Sequence, residues 1–354
     1  MQKTATRMQS PAELVRRRWR SPMSMAQTPP ASAASPMAEQ IVTFATHDLS
    51  SSEQRLFFHY SQQLKLAADA RAAMWVLLFK PWQETVETDH AASAAVDGGV
   101  CTWGDGALRR AMPRLARSIE VHAVRAKEND PNHMRYFWFT SSLLLWNRSY
   151  GHAYPSARYF WRLEPDVLFA GSWASLLARF DPRLDSGRAD VLLPKVTTHA
   201  EDPGYPHWER NDETLHDLPR SSWVYSLVSV GRYSRRFLEA MAKQWEAGTI
   251  GYEEIFLPMA CVKLGPGACR LQSLHHSTVP QHHGARGEKA HPRLTEHFRY
   301  KPEWSCDEFL RAAAAKASNL WHPVKHRDCW LEYLDSCDAS GCHMPVPNGS
   351  GVRR

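Results

Sequence analysis

Hydrophobic and polar positions alternate along the chain in blocks that predict buried strands separated by helices. A strand is predicted at 41–48, where an apolar run ends in polar residues. Apolar residues at helical spacing follow over 51–70, and a second apolar strand at 74–80 ends before Pro81. A strand, a helix and a strand in this order predict two parallel strands joined by a crossover helix.

The same alternation continues through the rest of the chain. Further helices are predicted at 133–150, 172–180, 234–248, 252–265 and 305–320, and further strands at 158–163, 189–196, 222–231 and 269–274. The spacing of Ser305 and Glu308 is that of a capping box at the last helix. Polar stretches at 97–106, 197–220 and 275–300 are predicted as loops. The pattern predicts an α/β chain with a parallel sheet.

Both ends of the chain differ in composition from its middle. Residues 1–38 contain a basic stretch followed by a Ser-, Pro- and Ala-rich one, and we interpret them as a flexible leader. An organelle transit peptide and a truncated gene model that lost its anchor are both left open. Residues 331–354 contain Cys, Gly and Pro without a period and are predicted as an irregular tail. The folded domain is therefore predicted over 39–330.

Composition sets bounds on this chain. Its 354 residues are 43% hydrophobic and include 14 Trp, so a large core can form. A formal charge of +6 fits an anionic small ligand as well as nucleic acid, but the long Lys/Arg block of a nucleic-acid tail is missing. No apolar run is long enough to predict a membrane span. The seven Cys form no CxxC pair. The sequence does not decide whether they form disulfides, as in a secretory lumen, or are buried thiols.

Two carboxylates stand at the end of the predicted strand 158–163, in the tripeptide Glu164-Pro165-Asp166. Residues i and i+2 of a strand point to one face, and a proline biases the preceding residue towards extended backbone. Ligands of open α/β sheets bind beyond the carboxyl ends of strands, and paired carboxylates suit Mg²⁺ or Mn²⁺. We interpret Glu164 and Asp166 as metal ligands; the alternative is a turn with two solvated acids.

Four short motifs occur in the order found in the GT-A class of glycosyltransferases. EPD at 164–166 resembles the class's DxD-type metal motif, and SVGRYSRRFL at 229–238 resembles its glycine-containing loop and helix on the acceptor side. GYEEIFLP at 251–258 is similar to the acidic motif that supplies the catalytic base, and LWHPVKH at 320–326 to the C-terminal histidine segment. The resemblance spans about 40–326. It implies a single GT-A-like, Rossmann-related domain that moves a sugar from a nucleotide-diphosphate sugar to an acceptor hydroxyl.

The resemblance also implies how the metal and the diphosphate are held. Asp166 is the first expected metal ligand, and Glu164 is a second ligand or a contact through water. His322 adds an imidazole nitrogen, which favours Mn²⁺ over Mg²⁺. Lys325 places a cation against the diphosphate. A polar loop after a helix is the alternative for His322 and Lys325.

On the acceptor side, the resemblance makes Glu254 the expected catalytic base and Glu253 an acceptor contact. Adjacent helical residues point about 100° apart, so only one of the two can face the cleft. The class often has Asp at the base position, and the two acids could also stabilise the helix N-terminus. A base at Glu254 would suit an inverting reaction. Gly231 and Tyr252 are the other expected acceptor-binding residues.

The donor side is expected at the end of the first strand. There the class binds the nucleotide, so Thr46 and Asp48 are predicted to contact its base or ribose, and Arg162 is predicted as a donor-site wall residue. The His-rich stretch offers a competing metal site, but we prefer a solvated or acceptor loop because the histidine spacing fits no structural zinc pattern. The histidines concerned are His275, His276, His282, His283 and His291.

Three functions are compared at this point. The first is a glycosyltransferase that uses Mn²⁺ or Mg²⁺, a nucleotide-sugar donor and a glycan, protein or small-molecule acceptor, without nucleic acid. The second is a non-catalytic relative that binds a nucleotide sugar or a glycan. The third, a nucleotidyltransferase, lacks its Gly-rich loop, since 46–55 contains no glycine. The class implies the Golgi or secretory-pathway lumen, with membrane association through a segment absent from this chain.

Overall fold

A computed structural model describes most of the chain between residue 38 and residue 342. The described residues are 38–46, 49–66, 71–80, 98–117, 131–169, 171–181, 188–208, 217–247, 249, 251–274, 295, 297–298, 302–315, 319–325, 329, 331, 337–338 and 341–342. Asp48 and the five histidines of the His-rich stretch lie outside these residues, as does almost all of the predicted leader.

The first strand–helix–strand unit forms as the sequence predicts. Strand β1 (Gln40–Thr46), helix α1 (Ser51–Leu66) and strand β2 (Ala72–Lys80) follow one another, and β1 and β2 are parallel. All seven residues of β1 are buried, because both faces of this strand are covered by helices.

These strands belong to a seven-stranded mixed sheet. The other members are β3 (Gly98–Gly104), β4 (Tyr159–Leu163), β6 (Val191–Leu193), β9 (Val230–Ser234) and β10 (Leu271–Ser273), and the order is β10-β6-β9-β4-β1-β2-β3. Strand β9 is antiparallel to both neighbours, β4 and β6, and every other adjacent pair is parallel. The predicted α/β domain with a mostly parallel central sheet is confirmed.

Helices cover both faces of the sheet. Besides α1 the described helices include α2 (Asp105–Ala111), α3 (Pro131–Tyr150), α4 (Trp173–Arg179), α5 (Arg235–Glu246), α6 (Glu253–Leu264) and α7 (Cys306–Ala315). One core cluster joins a sheet face to α3, α5 and α6, and a second joins the opposite face to α1, α4 and α7. Neighbouring residues of β4 show the division, because Phe160 belongs to the first cluster and Trp161 to the second.

A small second sheet extends the domain beside the end of β4. It consists of β11 (His297–Phe298), β12 (Leu320–His322) and β5 (Leu168–Phe169), in that order. Strand β5 comes directly after the Glu164-Pro165-Asp166 turn, and β12 pairs antiparallel with it. The C-terminal segment is thereby brought to the acidic turn.

The predicted loop at 97–106 is wrong. Residues Gly98–Gly104 form edge strand β3 and are followed at once by helix α2. The glycines hid the strand pattern, but parallel pairing with β2 buries Val100, Cys101 and Trp103.

The polar region before β9 also contains more structure than predicted. Strands β7 (Thr197–Thr198) and β8 (Val224–Tyr225) pair antiparallel inside and beside the predicted loop 197–220. The single strand predicted at 222–231 is two strands, β8 and β9, separated by 226–229. The break was not predicted because the apolar run is continuous, and hydrophobicity alone does not show that a chain passes from one sheet to another.

Two disulfide bonds occur in the described part of the chain. Cys261 is bonded to Cys269, and Cys306 to Cys329.

Within the predicted irregular tail, β13 (Cys337–Asp338) and β14 (Gly341–Cys342) pair, and such short strands leave no readable period. Among the described helices, none is both long and apolar enough to cross a membrane.

We expect the Cys306–Cys329 bridge to contribute strongly to stability. The double substitution Cys306→Ala/Cys329→Ala should lower the free energy of unfolding by about 3 kcal/mol, because it releases a loop of 23 residues in the unfolded chain. Urea-induced unfolding measures the change, and non-reducing peptide mapping should join the two cysteine peptides. Alkylation of both thiols in the native, unreduced protein would contradict the bridge.

Candidate active site

The two predicted metal ligands lie in a turn at the carboxyl end of β4. The Glu164 amide donates a hydrogen bond to the carbonyl of Ser229 at 2.8 Å, and the Val167 amide closes the turn on the carbonyl of Glu164 at 3.1 Å. The side chains of Glu164 and Asp166 are 23% and 21% exposed, so both carboxylates are half-buried at the sheet edge. The acids are therefore neither stranded in the core nor fully solvated.

His322 reaches this turn from β12. Its Nε2 atom lies 3.7 Å from Oδ1 of Asp166 and 3.9 Å from Oε2 of Glu164. The Val324 amide donates to the carbonyl of Asp166 at 3.0 Å and fixes the two segments together. One potential ligand atom from each of Glu164, Asp166 and His322 falls within 4.8 Å of the others. Two carboxylates and an imidazole fit a first-row divalent cation such as Mn²⁺.

Burial makes negative charge costly at this turn. It raises the pKa of Asp166 to about 6, an effect that Lys325 opposes and that Glu303 and Glu53 reinforce. Burial also raises the pKa of Glu164, and the Arg162 guanidinium opposes that shift. A site of this kind favours a cation.

Two of these neighbouring acids were missed by the sequence analysis. Glu303 lies 3.1 Å from the exposed Nζ of Lys325, so the predicted diphosphate-binding lysine has an acidic partner. Glu53 lies in the first turn of α1 and forms a capping box with Ser50, whose amide donates to the Glu53 carboxylate at 2.7 Å. The Ser-x-x-Glu spacing at 50–53 was the signal that could have marked this helix start next to the site.

Arg162 is fully buried and connects the acidic turn to helix α6. Its Nη2 atom lies 3.6 Å from Oε1 of Glu164 and 3.4 Å from Oε2 of Glu253, and its Nη1 donates to the carbonyl of Val228. Burial favours a role through the two carboxylates, and direct contact of Arg162 with the donor stays a prediction.

Glu254 points in a different direction from Glu253, as adjacent helical positions require. Its Oε2 atom accepts a hydrogen bond from the hydroxyl of Tyr205. Burial raises the pKa of Glu254 to about 7, the hydrogen bond from Tyr205 opposes the rise, and the charges of Glu164 and Glu253 add to it. A carboxyl group of this pKa suits proton transfer near neutral pH.

Tyr205 is the hydrogen-bond partner of Glu254 that the sequence analysis missed. It lies in the stretch predicted as a surface loop, and no spacing rule connects it with Glu254, 49 residues away. Tyr252 immediately precedes α6 and is buried, with its ring centroid 4.3 Å from that of His207. Its predicted acceptor contact stays a prediction.

Gly231 lies inside strand β9, opposite Arg162 and not in the predicted loop. A Cβ atom at this position would be 2.3 Å from the hydroxyl oxygen of Tyr233, so the glycine leaves room for that side chain beside Arg162. Thr46 is buried at the end of β1. The binding roles predicted for Gly231 and Thr46 remain predictions.

Comparison with known proteins finds no matching family model and no matching curated sequence. Solved structures that match include core-mannan synthase A from Aspergillus fumigatus in its Mn/GDP form, at 12% identity over 72% of this chain and 79% of that one, with a TM-score of 0.36. The mannosyltransferase Ktr4p from S. cerevisiae matches at 12% identity over 78% and 82%, with a TM-score of 0.37. Mouse xyloside xylosyltransferase 1, in its apo form, matches at 10% identity over 66% and 84%, with a TM-score of 0.31. All three are glycosyltransferases.

We expect removal of the buried guanidinium to destabilise the protein severely. Arg162→Met should cost about 3–5 kcal/mol, because the buried Glu253 and the half-buried Glu164 would lose the guanidinium that compensates their charge. The matched substitution Arg148→Met breaks an exposed pair with Glu246 and should cost at most about 1 kcal/mol. Urea-induced unfolding of both variants tests the difference, and equal losses would show that Arg162 does not compensate the acids.

Proposed function

We propose that this chain is a metal-dependent glycosyltransferase that moves a sugar from a nucleotide-diphosphate sugar to an acceptor hydroxyl. The observation that carries the proposal is the convergence of Glu164, Asp166 and His322 from two separate segments at the carboxyl edge of the sheet. Glu254, which follows the Arg162-paired Glu253 in helix α6, is a carboxyl group whose pKa burial raises to about 7. A cation site and a proton acceptor are the two chemical parts that such a transfer requires.

Asp166, Glu164 and His322 would hold the divalent cation. When bound, the ion stabilises the negative charge that grows on the diphosphate leaving group. The imidazole of His322 favours Mn²⁺, while Mg²⁺ would prefer a site made of oxygen ligands alone.

The protein's own residues divide the remaining work. Lys325, exposed next to the acidic turn, places a positive charge where the diphosphate would lie. Arg162 fixes the orientation of Glu164 and Glu253 through its ion pairs with both carboxylates. Glu254 accepts the proton of the acceptor hydroxyl as that oxygen attacks the sugar carbon.

The near-neutral pKa of Glu254 favours an enzyme over a non-catalytic binding protein. A protein that only binds a nucleotide sugar needs the cation site but no proton acceptor, whereas burial raises the pKa of Glu254 to about 7. Perturbed carboxyl groups of this kind are concentrated at catalytic sites.

The disulfide bonds support the proposed compartment. Such bonds persist in oxidising spaces and are rare in the cytosol. Two of them within the described chain favour the secretory-pathway lumen, including the Golgi, as the place of action.

The proposed reaction predicts donor turnover that depends on Asp166. Incubation with a panel of nucleotide sugars and Mn²⁺ should release nucleoside diphosphate, and Asp166→Asn should lower the rate by about 100-fold because charge stabilisation at the leaving group is lost. Asp307→Asn, which neutralises an exposed acid at the start of α7, is the matched control and should leave the rate unchanged. The measurement is chromatographic detection of free GDP or UDP.

Two outcomes would contradict this account. If no sugar nucleotide is turned over and neither GDP nor UDP binds in an Mn²⁺-dependent way, the chain is not a metal-dependent glycosyltransferase. If Asp166→Asn retains full turnover, the metal assignment is wrong even though the enzyme activity stands.

A further inference from the structure

We propose that Tyr205 is a positioning residue for the catalytic base: its hydroxyl holds the Glu254 carboxylate in one orientation. The inference rests on the proposed function, in which Glu254 accepts the acceptor's proton. It assigns a role in the reaction to the segment 199–208, which the sequence alone suggests to be a surface loop.

The two carboxylate oxygen atoms of Glu254 have different surroundings. Tyr205 donates to Oε2, while no residue in the described part of the chain donates a hydrogen bond to Oε1. A carboxylate held through one oxygen cannot rotate freely, so the other oxygen keeps a constant direction towards an incoming hydroxyl. Fixing a reacting group in this way lowers the entropy cost of proton transfer.

The ring of Tyr205 is held in place by stacking. It stacks on Tyr225 with ring centroids 3.8 Å apart and planes inclined by 8°. The Tyr225 hydroxyl donates to Oδ2 of Asp202 at 2.7 Å, and Nε1 of Trp208 donates to the carbonyl of Asp202 at 3.0 Å. The hydroxyl of Tyr205 is thus presented by a braced aromatic stack.

The same segment is packed against the helix that carries the base. Trp208 and Val224 form a buried cluster with Ile255 and Met259 of α6. The amide of Ser226 also donates to the backbone carbonyl of Glu254 at 2.9 Å. The aromatic stack and Glu254 therefore share one rigid framework, and the hydroxyl–carboxylate contact is maintained by packing on both sides.

The electrostatics agree with a constant donor. Burial and the neighbouring charge of Glu254 raise the pKa of Tyr205 far above neutrality, so the hydroxyl keeps its proton. The titratable groups that act on Glu254 are Tyr205, Glu253 on its own helix and Glu164 from the β4 turn. Glu254 in turn helps to raise the pKa of Tyr225 on β8. Of these, only the Tyr205 hydrogen bond lowers the pKa of Glu254, because it favours the ionised carboxylate.

The substitution Tyr205→Phe separates positioning from packing. It removes the hydroxyl and keeps the ring that stacks on Tyr225. A purely structural role of Tyr205 would leave the titration of Glu254 unchanged, whereas loss of the hydrogen bond should raise its pKa by about one unit. Since the base works as a carboxylate, the acid limb of the kcat profile should move to higher pH in the variant.

Two measurements on the full chain test the proposal. The first is the pKa of Glu254 in the metal-free protein, read from its side-chain carboxyl ¹³C shift and assigned with Glu254→Gln. The second is the pH profile of kcat. In Tyr205→Phe, kcat near neutral pH should fall by about 10- to 100-fold, while KM for the donor stays close to that of the wild type. Tyr159→Phe, which removes a hydroxyl at the opposite end of β4, is the matched control and should change neither quantity.

The outcomes distinguish this inference from the proposed function. An unchanged Glu254 pKa in Tyr205→Phe overturns the positioning role, whether or not the wild type transfers sugar. A raised pKa in Tyr205→Phe, with turnover that follows it, supports both. A raised pKa in a protein that turns over no sugar nucleotide supports the hydrogen bond's control of Glu254 and refutes the glycosyltransferase proposal.

Discussion

The buried guanidinium of Arg162 is the interaction on which the rest of the site depends. Its side chain leaves the central strand β4 and lies within 3.6 Å of Glu164 and 3.4 Å of Glu253. Two acids on different elements would otherwise repel each other in a poorly solvated place, and their ionised forms would be strongly disfavoured. By compensating both, Arg162 lets the Glu164–Asp166 turn and the first turn of helix α6 come together.

The antiparallel strand β9 provides the geometry that this pairing needs. The connection 226–229 that leads into it touches both halves of the site. Its Val228 and Ser229 carbonyls accept from the side chain of Arg162 and the amide of Glu164, and its Ser226 amide donates to the carbonyl of Glu254. A short piece of backbone thus sets the spacing between the Glu164–Asp166 turn and Glu254. On the far side, β12 pairs with β5 and delivers His322 to the same edge.

The sequence predicted those parts of the molecule that rest on local patterns. Alternating apolar blocks were sufficient for the parallel core of the sheet, and the Glu-Pro-Asp spacing was sufficient to place two carboxylates at a strand end. Tyr205 escaped prediction because its role depends on a contact across 49 residues, inside a polar stretch without a period. Burial of Arg162 was equally unpredictable, since only the three-dimensional arrangement shows that two acids surround it. The break between β8 and β9 was missed because hydrophobicity does not record a change of sheet.

The central claim is that Glu164, Asp166 and His322 form a site for a divalent cation that serves a nucleoside diphosphate. Anomalous X-ray diffraction at the manganese edge, from crystals of the full chain grown with Mn²⁺ and GDP or UDP, tests it most directly. The account predicts one strong anomalous peak in contact with Asp166 and His322, with Glu164 as a direct or water-mediated partner and the diphosphate on its open side. A diphosphate bound elsewhere, or a peak away from these three residues, would contradict it.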